Sequence, residues 1–362
     1  MSGTHETATP ATASAGPAKA DTAPTDTAIL RVSGLTKSYS AGTSWLSRFA
    51  SSGPSTLKAL DGVDLDLRPG EILALVGESG SGKSTLAKIL VGSTAPTGGE
   101  VSYRGSKAPA RRDRDASRRV QMVFQDPYSS LNPRLTVGRM LAELLLLHRI
   151  VPRREVRAES IRLLNLVGLE EEVLGAYPSQ FSGGQRQRLA IARALAVRPD
   201  VLIADEPVSA LDVSVQATIL DLFTSLRARL GLSILFIAHN LAVVQHLSDR
   251  VAVMYLGRIV EVSDTREIFA RPRHPYTRAL IDSIPRMREA SVNDAFELDG
   301  EPPSPYDVPQ GCRFHPRCAL ASDICRATDP PLLQVGPAHL SACLKADELA
   351  AIPLPDPAQE LP

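Results

Sequence analysis

Residues 71 to 85 read EILALVGESGSGKST. An apolar run of strand length ends in glycines, a lysine and two hydroxyls, and STLAKILVG then continues at helical spacing. Gly77 to Thr85 fits the pattern G-x-x-x-x-G-K-[ST] with no mismatch. The pattern constrains the fold because it works only where a strand ends, the chain turns tightly, and a helix starts with its free N–H groups aimed at a phosphate. Gly77, Gly80 and Gly82, with Ser79 and Ser81 between them, let backbone N–H groups approach the phosphate oxygens. Lys83 sets a point charge at the β and γ positions, and Ser84, followed by Thr85, offers a hydroxyl to Mg²⁺.

The rest of the chain repeats this logic. VLIADEP (Val201 to Pro207) and SILFIAH (Ser233 to His239) read as buried strands separated by the helix TILDLFTSLRARL, and strands alternating with helices imply an α/β fold with a mostly parallel sheet. AILRV at Ala28 to Val32 reads as a strand, Ser40 to Ser55 as a loop, and Pro133 to about Leu174 as helical. Arg250 to Val262, with Gly257 at its centre, reads as a hairpin. Proline-rich stretches at Arg271 to Pro275 and Glu301 to Pro309 mark a transition to a small appended module. Met1 to Thr27, rich in Ala, Thr and Pro, reads as a disordered tail and not as a secretory signal. The most apolar stretch, Met140 to Val151, is broken by Glu143, His148 and Arg149 and falls short of the ~18 apolar residues of a membrane span. A soluble, cytoplasmic chain is expected. Lys plus Arg and Asp plus Glu both total 40, so no net charge draws it to nucleic acid or anionic lipid.

Several polar residues stand where phosphate chemistry needs them. In VLIADEP a strand ends on two acids: Asp205 is placed to hold magnesium, and Glu206 is free to orient and deprotonate a water. Gln125 in VFQDP follows an apolar strand and could sense the metal or the γ-phosphate. His239 ends another strand and could contact that phosphate. Taken singly each has an ordinary explanation: an Asp-Glu pair is usually a solvated strand end, a lone histidine a satisfied structural one, and Tyr39 a packed ring as readily as one that stacks on a base.

A second helix start, FSGGQRQRLAIARAL at Phe181 to Leu195, offers another set of free N–H groups. Together with the motifs above and their order, it resembles the ATP-binding subunits of ABC transporters over roughly Ile29 to Pro285. The resemblance implies a P-loop NTPase of the ABC type: α/β with a mixed sheet core, an inserted helical signature subdomain over about 126–195, and a small C-terminal cysteine-containing extension. It also implies that Ser182, Gly183, Gly184 and Gln185, with Asp212 of SALD, close over the ATP of a partner subunit. Tyr39 then matches the adenine-stacking ring and Gln125 the Q-loop glutamine, a magnesium contact. Asp205 is the magnesium ligand, Glu206 the catalytic base, and His239 the switch histidine. IAHN at Ile237 to Asn240 departs from the family, which commonly has Ser or Thr before the histidine and Asp after it.

The far end narrows the substrate. RHPYTRALIDSIP and GCRFHPRC resemble the C-terminal extension of oligopeptide, dipeptide and nickel importer ATPases. The expected division is a nucleotide-binding domain over 28–285, an extension over 286–350, and a tail over 351–362. Cys312, Cys318, Cys325 and Cys343 all fall in the extension without a C-x-x-C pair; a [4Fe–4S] cluster, which some members of this subfamily carry, a zinc ion and simply packed thiols all stay open. The family further implies a second ATPase subunit, a heterodimer being favoured over a homodimer, and two membrane-spanning permease subunits that meet the chain near Gln125 to Leu135. It implies an extracytoplasmic substrate-binding protein and a place on the cytoplasmic face of the membrane. Peptide uptake is the leading function, with nickel or another solute, or efflux, as alternatives. ATPases of DNA repair carry long coiled coils between the two helix starts, where residues 86 to 180 leave room only for a helical subdomain, so no nucleic-acid partner is expected.

Overall fold

Short strands that are apolar on both faces explain the core. The computed structural model describes residues 28–40, 56–108, 114–126, 130–284, 296, 298 and 300–352. The tail Met1 to Thr27, nearly all of the Ser40 to Ser55 loop, and the chain from 353 lie outside the described residues. Strands β1 (Leu30–Ser40), β2 (Thr56–Leu67), β4 (Gly98–Tyr103) and β5 (Ser106–Lys107) form one antiparallel sheet, ordered β2-β1-β4-β5. Strands β3 (Ile72–Val76), β6 (Val120–Val123), β7 (Val201–Asp205), β8 (Ser233–Ala238), β9 (Arg250–Tyr255) and β10 (Arg258–Asp264) join β11 (Leu333–Gly336) and β12 (His339–Ser341) in an eight-stranded sheet, ordered β11-β12-β10-β9-β3-β8-β7-β6. From β9 to β6 neighbouring strands are parallel, and from β9 to β11 antiparallel.

Both faces of the parallel part are covered, so its strands are apolar throughout. Leu73, Leu75, Val201, Ile203, Leu235 and Ile237 pack toward the antiparallel sheet and α1 (Lys83–Leu90). Ile72, Ala74, Val76, Leu202, Ala204, Ile234 and Phe236 pack toward the helices on the opposite face. Those helices are α3 (Val137–Leu147), α4 (Val156–Leu166), α5 (Gly183–Leu195), α6 (Val213–Leu230) and α7 (Leu241–Leu247), while α2 (Arg114–Arg119) leads into β6. Full burial of each Leu, Ile or Val contributes about 1.5–3 kcal/mol.

β1 is longer than the AILRV segment suggested, because it pairs with β2 on one side and β4 on the other and absorbs LTKSY. Its register slips between Val32 and Leu35, where Gly34 (φ 54°) takes the left-handed conformation a bulge needs. The β9–β10 hairpin turns on Leu256 and Gly257, both at positive φ (41° and 80°), with Tyr255 paired to Arg258.

The extension is stitched into the large sheet: β12 pairs with β10 and carries β11 outward. The joint is Glu261 on β10, fully buried. It accepts hydrogen bonds from the backbone N–H of Arg273 (2.6 Å) and His274 (3.1 Å) and from His339 Nε2 (2.7 Å) on β12. His274 in turn accepts the Tyr276 N–H at Nδ1 (3.1 Å), capping α9 (Pro275–Asp282), which follows α8 (Thr265–Ala270). An unprotonated Nδ1 is needed for that bond, and burial pushes the His274 pKa down to about 3 from 6.5. The unfolded chain therefore takes up a proton below pH 6.5 that the folded one refuses until about pH 3, and this joint loses stability as pH falls through that window. Glu261→Ala leaves three buried donors unpaired and should cost about 3 kcal/mol in denaturant unfolding. A loss under about 1 kcal/mol would mean that the joint is held elsewhere.

Candidate functional site

The Gly-rich loop is built by what surrounds it. A Cβ on Gly77 would lie 2.1 Å from the Met254 carbonyl oxygen on β9, and one on Gly82 (φ 110°) 2.5 Å from the Ala59 carbonyl oxygen on β2. Backbone walls cannot yield as flexible side chains do, so only glycine fits. The hairpin turn adds a bond, Gly257 N–H donating to the Ser81 carbonyl (2.8 Å). Lys83 is buried, and its Nζ donates to the carbonyls of Gly77 (2.7 Å) and Glu78 (2.8 Å). Burial lowers its pKa, opposed by the charges of Glu206, Asp205 and Glu78. Ser79, Ser81 and Thr85 complete the loop and the first turn of α1.

The residues assigned from β7 and β8 meet at this loop. Ser84 Oγ donates to Asp205 Oδ1 (3.3 Å). Asp205 is buried, which raises its pKa; the Ser84 hydrogen bond opposes that shift and the neighbouring Glu206 adds to it. Such a hydroxyl and carboxylate are oxygen donors of the kind that suits a hard divalent metal. One residue on, Glu206 sits at φ 46°, unusual for a side-chain-bearing residue, with its N–H on the Ile237 carbonyl of β8 (3.0 Å). Its Oε2 accepts from Gln125 Nε2 (3.2 Å) and lies 3.3 Å from His239 Nδ1. Gln125, Glu206 and His239, far apart in the chain, thus converge. A cavity of about 60 Å³ beside them, lined by Glu206, Ser209, Gln216, His239 and Asn240, has room for a water. The departure at IAHN has a local explanation: Asn240 caps α7 by accepting the Ala242 N–H (2.8 Å), as an aspartate would, and Ala238 is buried in the core.

Other assigned residues lie elsewhere. Tyr39 is partly exposed at the end of β1, with Lys37 Nζ 4.9 Å over its ring. Ser182 caps α5 in a capping box: the Gln185 N–H donates to Ser182 Oγ (3.3 Å) and the Ser182 N–H to Gln185 Oε1 (3.1 Å). A Cβ on Gly184 would meet Val215 of α6 at 2.5 Å, so glycine there seats α5 against α6. Ser182, Gly183 and Gln185 face outward. Among the described residues no hydrogen bond joins them to the Gly-rich loop of the same chain. Asp212 precedes α6 without capping it, and Val213 beside it is 83% exposed. Of the Gln125 to Leu135 surface, residues 127–129 lie outside the described residues.

Sequence reading missed two contacts. Ser209 Oγ donates to the Glu206 carbonyl (3.0 Å), bracing the strained residue. Tyr276 Oη accepts the Glu78 N–H (2.8 Å), so a side chain of α9 holds the Gly-rich loop. The segment carrying Tyr276 spoke only of substrate class, because nothing local ties it to a loop almost two hundred residues earlier.

The four cysteines line one small enclosed cavity of about 10 Å³, with His274, Phe314 and His315. The Cys343 sulfur accepts the backbone N–H of Lys345 (3.3 Å). Burial pushes the Cys318 thiol up to about 11 and that of Cys343 to about 12. Among the described residues no three His, Cys, Asp or Glu are grouped closely enough to hold a metal ion.

Residues 60–209 match the family described as ABC transporter, and residues 260–325 the one described as Oligopeptide/dipeptide transporter, C-terminal region. The chain is 49% identical to a probable peptide ABC transporter ATP-binding protein, y4tS, of Sinorhizobium fredii, over 87% of this chain and 89% of the relative. It is 47% identical to the dipeptide transport ATP-binding protein DppF of Escherichia coli, over 81% and 88%. Among solved structures it resembles cbiO1 of Clostridium perfringens, part of the ABC transporter complex cbiONQ (TM-score 0.57, 28% identity, 67% of this chain and 91% of that one). It also resembles the dimeric ATP-binding cassette MJ0796 in a post-hydrolysis state with ADP and Pi (TM-score 0.56, 30% identity, 66% and 99%). Gly82→Ala combines a left-handed φ with a backbone clash, while Gly80→Ala (φ 79°) has open space and only strain. Titration with a fluorescent ATP analogue should find binding abolished by the first and reduced about fivefold by the second; equal losses would remove the role assigned to the Ala59 wall.

Proposed function

The chain belongs to the ATP-binding subunits of ABC transporters, in the branch that imports peptides, and on that premise we propose how its residues divide the work. It is an ATPase that powers the uptake of oligopeptides or dipeptides. The relatives' names favour peptides over the nickel and efflux alternatives. The observation that carries the division of roles is the meeting of Gln125 and His239 on the Glu206 carboxylate, one residue beyond the Ser84–Asp205 pair.

In this reading the loop N–H groups of Gly77 and of residues 79 to 85, with Lys83, bind the triphosphate, while the Glu78 N–H stays on Tyr276, and Tyr39 stacks on the adenine. Ser84 and Asp205, with Gln125, hold Mg²⁺, which supplies positive charge to the phosphoryl oxygens. Glu206 orients the attacking water and accepts its proton as the new P–O bond forms and the bond to the β-phosphate oxygen breaks. His239 donates to the γ-phosphate and steadies the charge that gathers there. Gln125 keeps Glu206 aimed until the substrate draws its amide away.

Ser182, Gly183, Gly184, Gln185 and Asp212 act on the partner's nucleotide. A capped helix start facing outward and the 83% exposed Val213 beside Asp212 support a second subunit over this face. ATP that touches both subunits favours closure, because only the closed state offers it both sets of contacts, and hydrolysis releases them. A related but different ATPase chain is the proposed partner. No helix among the described residues is long and apolar enough to cross a membrane, and in our reading the motion acts on separate membrane proteins. We place the chain on the cytoplasmic face, against two permease subunits contacted near Gln125 to Leu135, in a system fed by an extracytoplasmic binding protein.

For the four cysteines we propose a [4Fe–4S] cluster. Four cysteines, the residue type that holds such clusters, line one cavity, and the Lys345 N–H already donates to the Cys343 sulfur. Cys312, Cys318, Cys325 and Cys343 would hold it as a structural cross-link.

Cells carrying Glu206→Gln should lose uptake of labelled dipeptide and pentapeptide while other solutes enter normally, and the purified variant should still bind ATP. Unchanged peptide uptake would refute the substrate. Anaerobic purification should yield about four irons and as many acid-labile sulfides per chain, lost in Cys318→Ser; a chain with neither has packed thiols only.

A further inference from the structure

The extension also reaches the ATP site through charge. Arg317, the residue before Cys318, has a side chain only 5% exposed. Its Nη1 donates to Glu78 Oε2 (2.7 Å) and its Nη2 to Glu78 Oε1 (3.0 Å), the bidentate geometry of a strong ion pair. Glu78 is the second residue of the phosphate loop, so the segment that must accept a highly negative triphosphate carries a carboxylate of its own. That carboxylate is near enough to Lys83 to affect its ionisation.

The cysteine loop sets where Arg317 stands. His315 N–H donates to the Cys312 carbonyl (3.0 Å), Arg317 N–H to that of Phe314 (3.0 Å), and Cys318 N–H to that of His315 (3.3 Å). Phe314 packs edge-on against Tyr255 (5.4 Å) and beside Tyr276 (5.3 Å), the residue whose hydroxyl holds the Glu78 N–H. Backbone and side chain of Glu78 are therefore both held by the C-terminal part of the chain.

We propose that Arg317 is a positioning residue for ATP binding, cancelling the Glu78 charge and fixing its backbone beside the triphosphate, so that the cysteine-bearing extension completes the nucleotide site of its own chain. This rests on the nucleotide-binding reading above. A plain structural staple would look the same in one structure but differs in its response to charge. If Arg317 compensates charge, removing it is harmful only while Glu78 remains an anion. If it is a staple, removing either partner does the same harm.

Equilibrium binding of a fluorescent ATP analogue with Mg²⁺ to the full-length chain separates the two. Arg317→Gln should weaken binding about tenfold, less so at high salt. The double variant Arg317→Gln with Glu78→Gln should recover to within about threefold of the native chain, and Glu78→Gln alone should bind as well as native or better. In the assembled transporter Arg317→Gln should raise KM for ATP with little change in kcat. An unaffected Arg317→Gln, or a double variant as weak as the single one, overturns the proposal. Should Arg317→Gln not fold, Glu78→Gln decides alone: native or tighter binding supports charge compensation, and an about fivefold loss overturns it. Because native binding is measured alongside, failure of the nucleotide reading itself would be seen separately, as no binding by the native chain.

Discussion

The backbone of the phosphate loop runs so close to the carbonyls of Met254 and Ala59 that no side chain fits at Gly77 or Gly82. This proximity couples the loop to both sheets, since Met254 belongs to β9 and Ala59 to β2. A loop held from two sides keeps its N–H groups aimed without a ligand, which spares binding the cost of ordering them. The surrounding strands, the β9–β10 turn and α9 can be read as the frame that keeps this gap constant.

Inside the frame, burial works against charge and geometry compensates. Lys83 and Asp205 both lie where water is scarce, and each is shifted toward its neutral form by burial, Lys83 downward and Asp205 upward. Opposite charges nearby oppose both shifts, those of Glu206, Asp205 and Glu78 at Lys83 and those of Lys83 and Lys88 at Asp205. Glu206 adds strain at φ 46°, braced by Ser209 and by its N–H bond to Ile237, and this turns its carboxylate to Gln125 and His239.

The extension is part of the same frame. Through β12 it extends the large sheet, through Glu261 it fastens the start of α9, and through Tyr276 and Arg317 it reaches the loop. Cys318, one of the four cysteines that line a common cavity, is the residue after Arg317, which grips the phosphate loop.

By itself the sequence determined the strand-loop-helix unit around Gly77 to Thr85, the buried strands ending at Asp205 and His239, and the second helix start at Ser182. Each is local: periodicity, glycine spacing and a capping serine act over a few residues and leave their mark in order along the chain. The Leu256–Gly257 turn was legible for the same reason. The length of β1 was not, because its extension depends on pairing with both β2 and β4. Only the tertiary structure decided that Gln125 and His239 share the Glu206 carboxylate, that the four cysteines face one cavity, and that Tyr276 and Arg317 hold Glu78. Those contacts join residues from separate strands and helices, and their geometry is set by how sheets and helices pack, which no short stretch of sequence encodes.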